Sequence, residues 1–475
     1  MATEYKVSPF GGAVNIRVRV PGSKSMTNRA LLLAALSEGD SVLRGIGVSD
    51  DSRVFMEALT ALGFDLTESY GADDSVSVKI SGCGGDLPEK DTKVYVGSAG
   101  TAARFLTAMM ALSDGIYEVT SSEQMKKRPM KELLEALELL GAIFDFHEEA
   151  YAFPFTVTGR LHEANAGKPV PAEVPLNIDR SSQFLSALLL CGPMVAEGFK
   201  IRLTGTREAI SYVKISEHMM KQFGFCRPAT ASSLGDGPSL SSLLACEAAG
   251  SPDIYTVTPG GGYSARDYRI EPDVSAACYF YAMAAVNGGS ATVIGVNRDN
   301  TQGDMRFIDL LEKMGCTVGE DDNGDIVVER ASETPLKGVE VDMSDYSDQT
   351  MTLAAIAPFA DAPVTITGVS HIRGQESDRI HGIATELSRL GVSCEERDDG
   401  VRIVPFSDND VSVMPEGYLK RNDGKEIRIE TYDDHRMAMA FAVTGTRLGG
   451  VTIMNPECCR KTFDSYFDIL SCLRA

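Results

Sequence analysis

The sequence predicts an α/β protein of two similar domains, each made of three repeated units that contain buried helices. Three observations lead to this class. Apolar runs of helix length recur six times, and each leads into an alternating stretch that is typical of a strand. Each run is followed by a second, amphipathic helical pattern. Five of these six patterns close on a glycine, where a left-handed helix cap favours that residue.

The first helix of each repeat is apolar nearly all round and is predicted to be buried, whereas the second has one charged face and is predicted to be exposed. The apolar runs are NRALLLAALSEGDSVLRGIG, AARFLTAMMALSDGIYEVTSS, SSQFLSALLLCGPMVAEGFKIRLTG, SAACYFYAMAAVNGGSATVIGV, MTLAAIAPFADAPVTITGV and RMAMAFAVTGTRLGGVTIMNP. The amphipathic patterns are DSRVFMEALTALG, PMKELLEALELLG, ISYVKISEHMMKQFG, DMRFIDLLEKMG, DRIHGIATELSRLG and KTFDSYFDILSCL. Any α/β protein alternates helices and strands, but it does not place six such pairs in one order at a spacing of roughly 75 to 95 residues.

The domain boundaries follow from the third repeat. A stretch rich in Ser, Ala, Gly and Pro comes after it, and we interpret residues 227–262 as an inserted surface segment. The chain is expected to cross between domains near Tyr268 to Pro272. We therefore predict one domain over residues 21–268 and a second over residues 1–20 and 269–475, with a mobile active site between the halves.

The composition excludes several functional classes. Lys and Arg number 45 against 67 Asp and Glu, and the net charge of -22 repels nucleic acid and anionic lipid. No apolar run reaches the roughly 18 to 20 residues that a bilayer requires, and no secretory signal is apparent, so we expect a cytoplasmic protein. The 10 Cys and 6 His residues show neither a CxxC pair nor an HExxH spacing, and we expect no bound metal.

Candidate anion-binding residues stand at the starts of the buried helices in the first half. In PGSKSMTNR, Gly22, Ser23 and Ser25 offer hydrogen-bond donors at a helix start, with Lys24 and Arg29 nearby. The unpaired N–H groups and the dipole of a helix N-terminus stabilise an anion. GSAGTAARF, KKRPM and SSQF repeat this pattern, although any one of them alone is also a common type of helix cap. Neither glycine stretch fits the GxxxxGK[ST] pattern of a nucleotide-binding loop.

A different mixture of charges marks the second half. Asp348 lies in YSDQTMT at the start of the fifth buried helix, and QESDR places Glu376 close to Arg379. YDDHRMAM carries Arg436 at the start of the sixth buried helix, and RKTF carries Lys461 at the start of the last amphipathic one. A basic residue at a helix N-terminus is unfavourable to the dipole and requires an anionic partner. Cations from both halves therefore predict a small, polyanionic substrate.

Two more aspartates of these motifs, Asp378 in QESDR and Asp434 in YDDHR, have two interpretations. Each is either a solvated charge at a helix end or a residue that supports the substrate-binding side chains from behind. The sequence alone leaves both interpretations open.

Together these motifs closely resemble the family of 5-enolpyruvylshikimate-3-phosphate synthases. The matching motifs, in the family's order from near residue 20 to near residue 467, are PGSKSMTNRALLLAAL, GSAGTAARF, KKRPM, SSQFLSALLL, QGDMRF, QESDRI, YDDHRMAM and KTFDSYF. The resemblance implies the enolpyruvyl transferase fold, with two domains of three βαβαββ-type units each. It also implies transfer of the enolpyruvyl group of phosphoenolpyruvate to the 5-hydroxyl of 3-phosphoshikimate through a tetrahedral intermediate, with release of phosphate. This reaction is the sixth step of the shikimate pathway to chorismate and needs no metal or organic cofactor. We expect the protein to be a monomer.

The resemblance assigns roles to individual residues. Asp348 matches the general base, Glu376 matches the acid/base carboxylate beside it, and Lys24 matches a catalytic cation. The residues implied to bind 3-phosphoshikimate are Lys24, Ser25, Arg29, Ser181, Ser182, Gln183, Ser211, Asp348 and Gln375. Those implied to surround phosphoenolpyruvate are Lys24, Gly100, Arg128, Gln183, Arg379, Arg436 and Lys461. The chemistry agrees, because a hydroxyl must lose its proton to a base and a departing phosphate needs positive charge around it.

Four positions depart from the family's usual residues. Phe105 stands where proline is common, which leaves the response to inhibitors that mimic phosphoenolpyruvate open. His371 and Gln375 replace a common asparagine and lysine, and Lys214 falls where a tyrosine often contacts the shikimate ring. We hypothesise that Lys214 supplies the positive charge that is missing at Gln375.

Two other functions are open at this point. The enolpyruvyl transferase that acts on UDP-N-acetylglucosamine shares the fold, but its catalytic cysteine lies in a loop whose pattern is absent around Cys83. A catalytically silent binding protein on the same fold would be expected to lack some of Lys24, Asp348, Glu376 or Arg436, and all four are present.

Overall fold

The chain divides into two units, each assembled from separate segments. The computed structural model describes residues 4–71, 75–165, 167–205, 211–225, 253–258, 262–406 and 426–473. We call Ser25–Ile46 with Asp51–Ile270 the N-terminal unit, and Met1–Lys24, Gly47–Asp50 and Glu271–Ala475 the C-terminal unit. Among the described residues, no helix has both the length and the apolar character needed to cross a bilayer.

The boundaries differ by a few residues from the expected range 21–268. The backbone N–H of Ser23 donates to the carbonyl oxygen of Glu271 (2.8 Å), which holds residues 21–24 in the C-terminal unit. The N–H of Ile270 donates to the carbonyl oxygen of Arg44 (2.9 Å), which holds residues 269–270 in the N-terminal unit. Lys24 therefore belongs with the C-terminal unit, although it was expected in the other domain.

Each repeat contains a pair of helices, as predicted. The last helix begins at Tyr466, however, so Lys461 does not lie at its start as expected but ends a short 3-10 helix, Pro456–Lys461. The helices with apolar sequences are α1 (Lys24–Leu36), α3 (Gly100–Ala111), α6 (Gln183–Cys191), α8 (Val274–Asn287), α10 (Thr350–Ile356) and α12 (His435–Leu448). The helices with amphipathic sequences are α2 (Asp50–Ala61), the paired α4 (Glu123–Lys126) and α5 (Lys131–Leu139), α7 (Ser211–Gln222), α9 (Met305–Lys313), α11 (Arg379–Arg389) and α13 (Tyr466–Cys472). Every residue of α3 is buried, as its apolar sequence predicts.

The described strands of the N-terminal unit form three sheets. Their spatial orders are β13 (Tyr263–Ser264), β3 (Ser37–Arg44), β5 (Val76–Cys83), β4 (Leu66–Tyr70), with β14 (Asp267–Arg269) also on β3; β6 (Asp91–Tyr95), β7 (Ile116–Thr120), β9 (Phe155–Thr158), β8 (Ile143–Phe146); and β10 (Glu173–Asn177), β11 (Phe199–Thr204), β12 (Ile254–Val257). Residues 227–252 of the expected insertion lie outside the described residues, and β12 follows shortly after them.

In the part of the C-terminal unit that the structure describes, the strands form three more sheets. Their spatial orders are β2 (Val14–Val18), β15 (Gly289–Val293), β17 (Ile326–Arg330), β16 (Thr317–Glu320); β18 (Glu340–Asp342), β19 (Val364–Thr367), β21 (Gly400–Val404), β20 (Ser393–Arg397); and β22 (Ile427–Ile429), β23 (Val451–Met454), β1 (Glu4–Lys6).

The six sheets seen in the described ranges share one plan, in which a parallel pair of strands continues into antiparallel pairing. In the sheets that begin with β6 and β18, one continuous segment supplies the order βαβαββ. In others a distant segment completes the sheet; β1, for example, pairs antiparallel with β23. The predicted fold of three repeated units with buried helices in each half is confirmed.

Candidate active site

Arg29 lies in the buried helix α1 and has an exposed fraction of only 1%. Its Nε donates to Ser216 Oγ (2.8 Å), and its Nη2 donates to the Tyr212 carbonyl oxygen (3.1 Å) and to Ser186 Oγ (3.4 Å). Its Nη1 donates to the carbonyl oxygen of Ser25 (2.9 Å). These acceptors are neutral, and burial lowers the pKa of Arg29 to about 10. A buried guanidinium that donates to neutral acceptors favours a nearby anion.

Gly100 begins helix α3 at a point where three polar side chains converge. A Cβ atom on Gly100 would lie 2.7 Å from Arg104 Nη1, 2.9 Å from Arg128 Nη2 and 3.0 Å from Gln183 Oε1. Arg104 Nη1 donates to that Gln183 oxygen at 2.6 Å. Burial lowers the pKa of Arg104, and the positive charge of Arg128 adds to the effect. Two guanidinium groups close to a helix N-terminus form an arrangement that favours a small anion.

The predicted serines stand at the starts of two helices in this unit. Ser181 and Ser182 precede α6, and the N–H of Gln183 donates to Ser181 Oγ at 3.3 Å. Ser211 is the first residue of α7. Hydroxyl groups at helix starts are suited to hydrogen bonding with a substrate phosphate or hydroxyl group.

In the C-terminal unit, Asp348 is held by two arginines. Its Oδ1 lies 3.2 Å from Arg379 Nη1, and its Oδ2 lies 2.6 Å from Arg436 Nη2. The side chain of Arg379 is 2% exposed, and that of Asp348 is 17% exposed. The structure thus brings the predicted base together with two of the cations predicted to bind phosphoenolpyruvate.

Asp434 connects this ion-pair group to helix α12. Its Oδ1 accepts from the backbone N–H of Arg436 (2.9 Å) and caps the helix, while its Oδ2 accepts from Arg379 Nε (2.8 Å). Burial opposes ionisation, but Arg379 outweighs it and lowers the pKa of Asp434. Burial also opposes the charge on Arg379, and Asp434 and Asp348 outweigh it and raise the pKa of Arg379. Asp434 is therefore not a solvated charge but a buried carboxylate in contact with Arg379 and Arg436. Asp378, the other residue with two interpretations, caps α11 and lies near solvent.

Glu376 forms a second group of charges with Lys461 and His435. Its Oε1 lies 3.2 Å from Lys461 Nζ, and its Oε2 lies 3.1 Å from His435 Nδ1. Burial alone would raise the pKa of Glu376, but His435, Lys461 and Lys24 outweigh it and hold the pKa well below its usual range. Burial lowers the pKa of His435 despite the adjacent Glu376.

Lys24 belongs to the same unit as these carboxylates. Its backbone N–H donates to Asp273 Oδ2 at 3.2 Å, which ties the start of α1 to the start of α8. Its positive charge contributes to lowering the pKa values of Glu376 and His435. The structure therefore gathers Lys24, Asp348, Glu376, Arg379, Arg436 and Lys461 in one unit.

Glu376, Asp434 and His435 place one donor atom each within 4.8 Å of one another, a spacing that could suit a metal ion. Each carboxylate, however, already has a basic partner, Lys461 for Glu376 and Arg379 for Asp434. The nitrogen of His435 nearest to them is hydrogen-bonded to Glu376. We therefore assign the three side chains to the charge network.

Three further residues contact or adjoin the predicted site residues and were not among the predictions from sequence. Arg104 contacts Gln183, His435 contacts Glu376, and the buried Asp304 accepts from Gln349 Nε2 at 3.2 Å. The sequence does carry a signal for Arg104, because an arginine within the otherwise apolar helix sequence TAARFLTAMMA must have a buried partner. The contacts of His435 and Asp304 join residues distant in the chain, and no local pattern reports them.

The four departures from the family pattern have distinct environments. Phe105 is buried with its ring centroid 5.3 Å from Arg29 Cζ. His371 Nε2 lies 2.9 Å from Ser347 Oγ, and Gln375 Oε1 accepts from Arg379. Lys214 is exposed on α7.

The fold is similar to that of a solved structure of EPSP synthase from Acinetobacter baumannii. The TM-score is 0.74 at 23% sequence identity, and the alignment covers 100% of this chain and 98% of that one. With three sheets in each unit among the described residues, the chain therefore has the same class of fold as that structure.

Comparison with protein families and with curated proteins identifies the family. The model of the family EPSP synthase (3-phosphoshikimate 1-carboxyvinyltransferase) matches residues 10–226 and 244–470. A 3-phosphoshikimate 1-carboxyvinyltransferase of Trichormus variabilis is 39% identical over 454 residues, covering 96% of this chain and 95% of the relative. An enzyme of the same name from Yersinia pestis bv. Antiqua (strain Angola) is 36% identical over 457 residues, with 96% and 95% covered.

The chain therefore belongs to the EPSP synthase family. The function predicted from the sequence is confirmed at this level: the family's reaction is the transfer of the enolpyruvyl group of phosphoenolpyruvate to 3-phosphoshikimate in the shikimate pathway.

Proposed function

We propose that the two described groups of residues divide this reaction between them. The N-terminal unit supplies Ser25, Arg29, Ser181, Ser182, Gln183 and Ser211 to 3-phosphoshikimate, and Gly100 and Arg128 to phosphoenolpyruvate. The C-terminal unit supplies Lys24, Asp348, Glu376, Arg379, Arg436 and Lys461, and Gln375 next to them. The observation that carries the proposal is the pairing of both carboxylates with cations, Asp348 with Arg379 and Arg436, and Glu376 with Lys461. We further propose that the protein acts as a monomer in the cytoplasm.

Asp348 is the proposed general base. The 5-hydroxyl of 3-phosphoshikimate has a pKa far above neutrality, so a carboxylate must accept its proton as the oxygen attacks C2 of phosphoenolpyruvate. Arg379 and Arg436 contact the Asp348 carboxylate, and an adjacent positive charge favours the ionised form of a carboxylate and weakens it as a base. The carboxylate of phosphoenolpyruvate competes for Arg379 and Arg436, and loss of either partner makes Asp348 a stronger base. Binding of the second substrate thus activates the base.

Glu376 is the proposed acid/base group at C3. Its partners keep it ionised before substrate binds, and an ionised carboxylate cannot donate a proton. Anionic groups of phosphoenolpyruvate compete for Lys461 and Lys24, which raises the proton affinity of Glu376 and lets it exchange a proton with C3. The cations then stabilise the phosphate that leaves the tetrahedral adduct.

The sugar-nucleotide alternative is less consistent with the environment of Cys83. A nucleophilic or acid/base cysteine usually has a lowered pKa in an electropositive, partly exposed site. Burial instead raises the pKa of Cys83, which ends strand β5.

A phosphate-release assay tests the proposal. Purified protein with phosphoenolpyruvate and a chelator should release phosphate when 3-phosphoshikimate is added, and should not when UDP-N-acetylglucosamine is added. Equal or faster release with the sugar nucleotide would contradict it.

A further inference from the structure

The residues that precede helix α12 adopt an unfavourable backbone conformation. Tyr432 has a φ of 56° and Asp433 has a φ of 57°, so two consecutive residues with side chains lie in the left-handed region. Such residues cost free energy and persist only where surrounding contacts hold them. Asp434, His435 and Arg436 follow immediately, and their positions depend on this turn.

Glu386 of helix α11 contacts this turn at two points. Its Oε1 accepts from Tyr432 Oη at 2.6 Å, and its Oε2 accepts from the backbone N–H of Glu430 at 3.1 Å. The Glu386 side chain is 0% exposed, and Arg389 Nε lies 3.6 Å from its Oε1. Both carboxylate oxygens are therefore committed to the turn, and a buried charge that uses both oxygens is costly to disturb.

The same helix contacts the other side of the turn. Arg379, the first residue of α11, donates to Asp434, while Glu386, two turns later, accepts from Tyr432. Between them, a Cβ atom on Gly382 would lie 3.4 Å from Tyr432 Cε2 and 3.3 Å from Met437 Cε, so α11 packs closely against the turn and the start of α12. One rigid helix thus fixes the turn at both ends.

We propose that Glu386 is a positioning residue, which holds the strained turn 430–433 so that Arg436 meets Asp348 in the active site. Glu386 belongs to none of the sets assigned to substrate. It acts through Tyr432 and Glu430, and its loss lets the turn relax from the left-handed conformation. Arg436 then loses its fixed position, and the affinity for phosphoenolpyruvate falls. This inference rests on the proposed role of Arg436.

Two variants test this positioning role. Each removes part of the contact between Glu386 and the turn, and each keeps the shape of the substituted side chain. Tyr432→Phe removes only the hydroxyl group, and Tyr432 is 39% exposed, so the protein should fold. Glu386→Gln replaces one acceptor oxygen by an amide nitrogen that cannot accept. Each should raise the KM for phosphoenolpyruvate about 10-fold, as expected for a lost hydrogen bond to a charged group, with little change in the KM for 3-phosphoshikimate.

The double variant separates positioning from general destabilisation. Glu386→Gln and Tyr432→Phe break the same contact. The double variant should therefore raise the KM for phosphoenolpyruvate by less than the product of the two single increases. Glu312→Gln, on the exposed face of α9, is the matched control and should leave both KM values unchanged. Circular dichroism and urea unfolding establish that each variant is folded.

The variant Arg436→Gln distinguishes failure of the positioning role of Glu386 from failure of the proposed role of Arg436. If Arg436→Gln raises the KM for phosphoenolpyruvate while the folded Glu386 and Tyr432 variants stay within about twofold of the wild type, the positioning role is wrong. If Arg436→Gln itself leaves that KM unchanged, the proposed role of Arg436 is wrong and the inference fails with it.

Discussion

Arg379 and Asp434 form a buried ion pair, with Arg379 Nε 2.8 Å from Asp434 Oδ2 and side-chain exposures of 2% and 0%. The pair joins the first residue of helix α11 to the cap of helix α12. Removing one member of a buried pair leaves the other charge without compensation, which costs more than the pair contributes.

Asp434→Asn should therefore lower the free energy of unfolding by about 3 kcal/mol, because an asparagine still caps the helix but removes one of the two carboxylates, Asp434 and Asp348, that contact the buried Arg379. Asp378→Asn is the matched control, since Asp378 also caps a helix, accepts from the N–H of His381 at 3.0 Å and pairs with Arg373 near solvent. Asp378→Asn should lower the free energy of unfolding by about 1 kcal/mol or less. Urea denaturation measures both, and equal losses would contradict a special role for the buried pair.

Asp348→Asn should lower kcat at least about 100-fold while the fold persists, because an amide cannot accept the hydroxyl proton. Asp345→Asn, three residues earlier and paired with Arg306, is the control and should keep most of the activity. Initial rates of phosphate release at saturating substrates compare the two. A folded Asp348→Asn enzyme with near-normal kcat would rule out the assigned base.

Gly100→Ala should raise the KM for phosphoenolpyruvate about 10-fold or more, because the new methyl group occupies space within 3.0 Å of Arg104, Arg128 and Gln183. Stability should change little, since the atoms that must move are side-chain ends. Gly12→Ala has no heavy atom within 4 Å of its added Cβ and serves as the control. An unchanged KM in Gly100→Ala would show that the anion does not bind beside this glycine.

Lys214→Gln should raise the KM for 3-phosphoshikimate about 10-fold or more, with little change for phosphoenolpyruvate, if Lys214 supplies the charge missing at Gln375. Adding Gln375→Lys should recover much of the loss. Lys221→Gln, a lysine in the last turn of the same helix, is the control. If the KM does not respond, Lys214 is simply an exposed residue of α7.

Asp304→Asn should change how stability depends on pH. Burial, with the negative charge of Asp348 adding to it, raises the pKa of Asp304 to about 7 from an ordinary value of 3.8. Between these two values the folded protein binds the extra proton, so the contribution of Asp304 to stability is greatest at low pH and falls as the pH rises toward 7. The variant lacks this proton, and its unfolding free energy should fall less between about pH 5 and about pH 8 than that of the wild type. Urea titrations across this pH range measure the unfolding free energy of both proteins. Asp299→Asn, at an exposed position, is the control. Parallel pH curves for the wild type and Asp304→Asn would contradict the raised pKa of Asp304.

The sequence by itself determined the repeats and the helices. Apolar periodicity and glycine caps are properties of neighbouring residues, so the twelve helical patterns could be read in order, and α3, for example, is buried along its whole length. The motifs at the helix starts also identified residues that the structure brings together, such as Asp348, Arg379 and Arg436. The assigned roles remain predictions.

Only the tertiary structure decided which partners these residues have. Lys24 belongs to the C-terminal unit because backbone hydrogen bonds join residues 21–24 to residues 271–273, and β1 completes a sheet with β23 from the other end of the chain. Arg379 pairs with Asp434, 55 residues away, and Glu386 holds Tyr432, 46 residues away. Periodicity reports which face of an element is apolar, but the partner of a buried charge depends on the packing of elements far apart in the chain, and no local pattern contains that information.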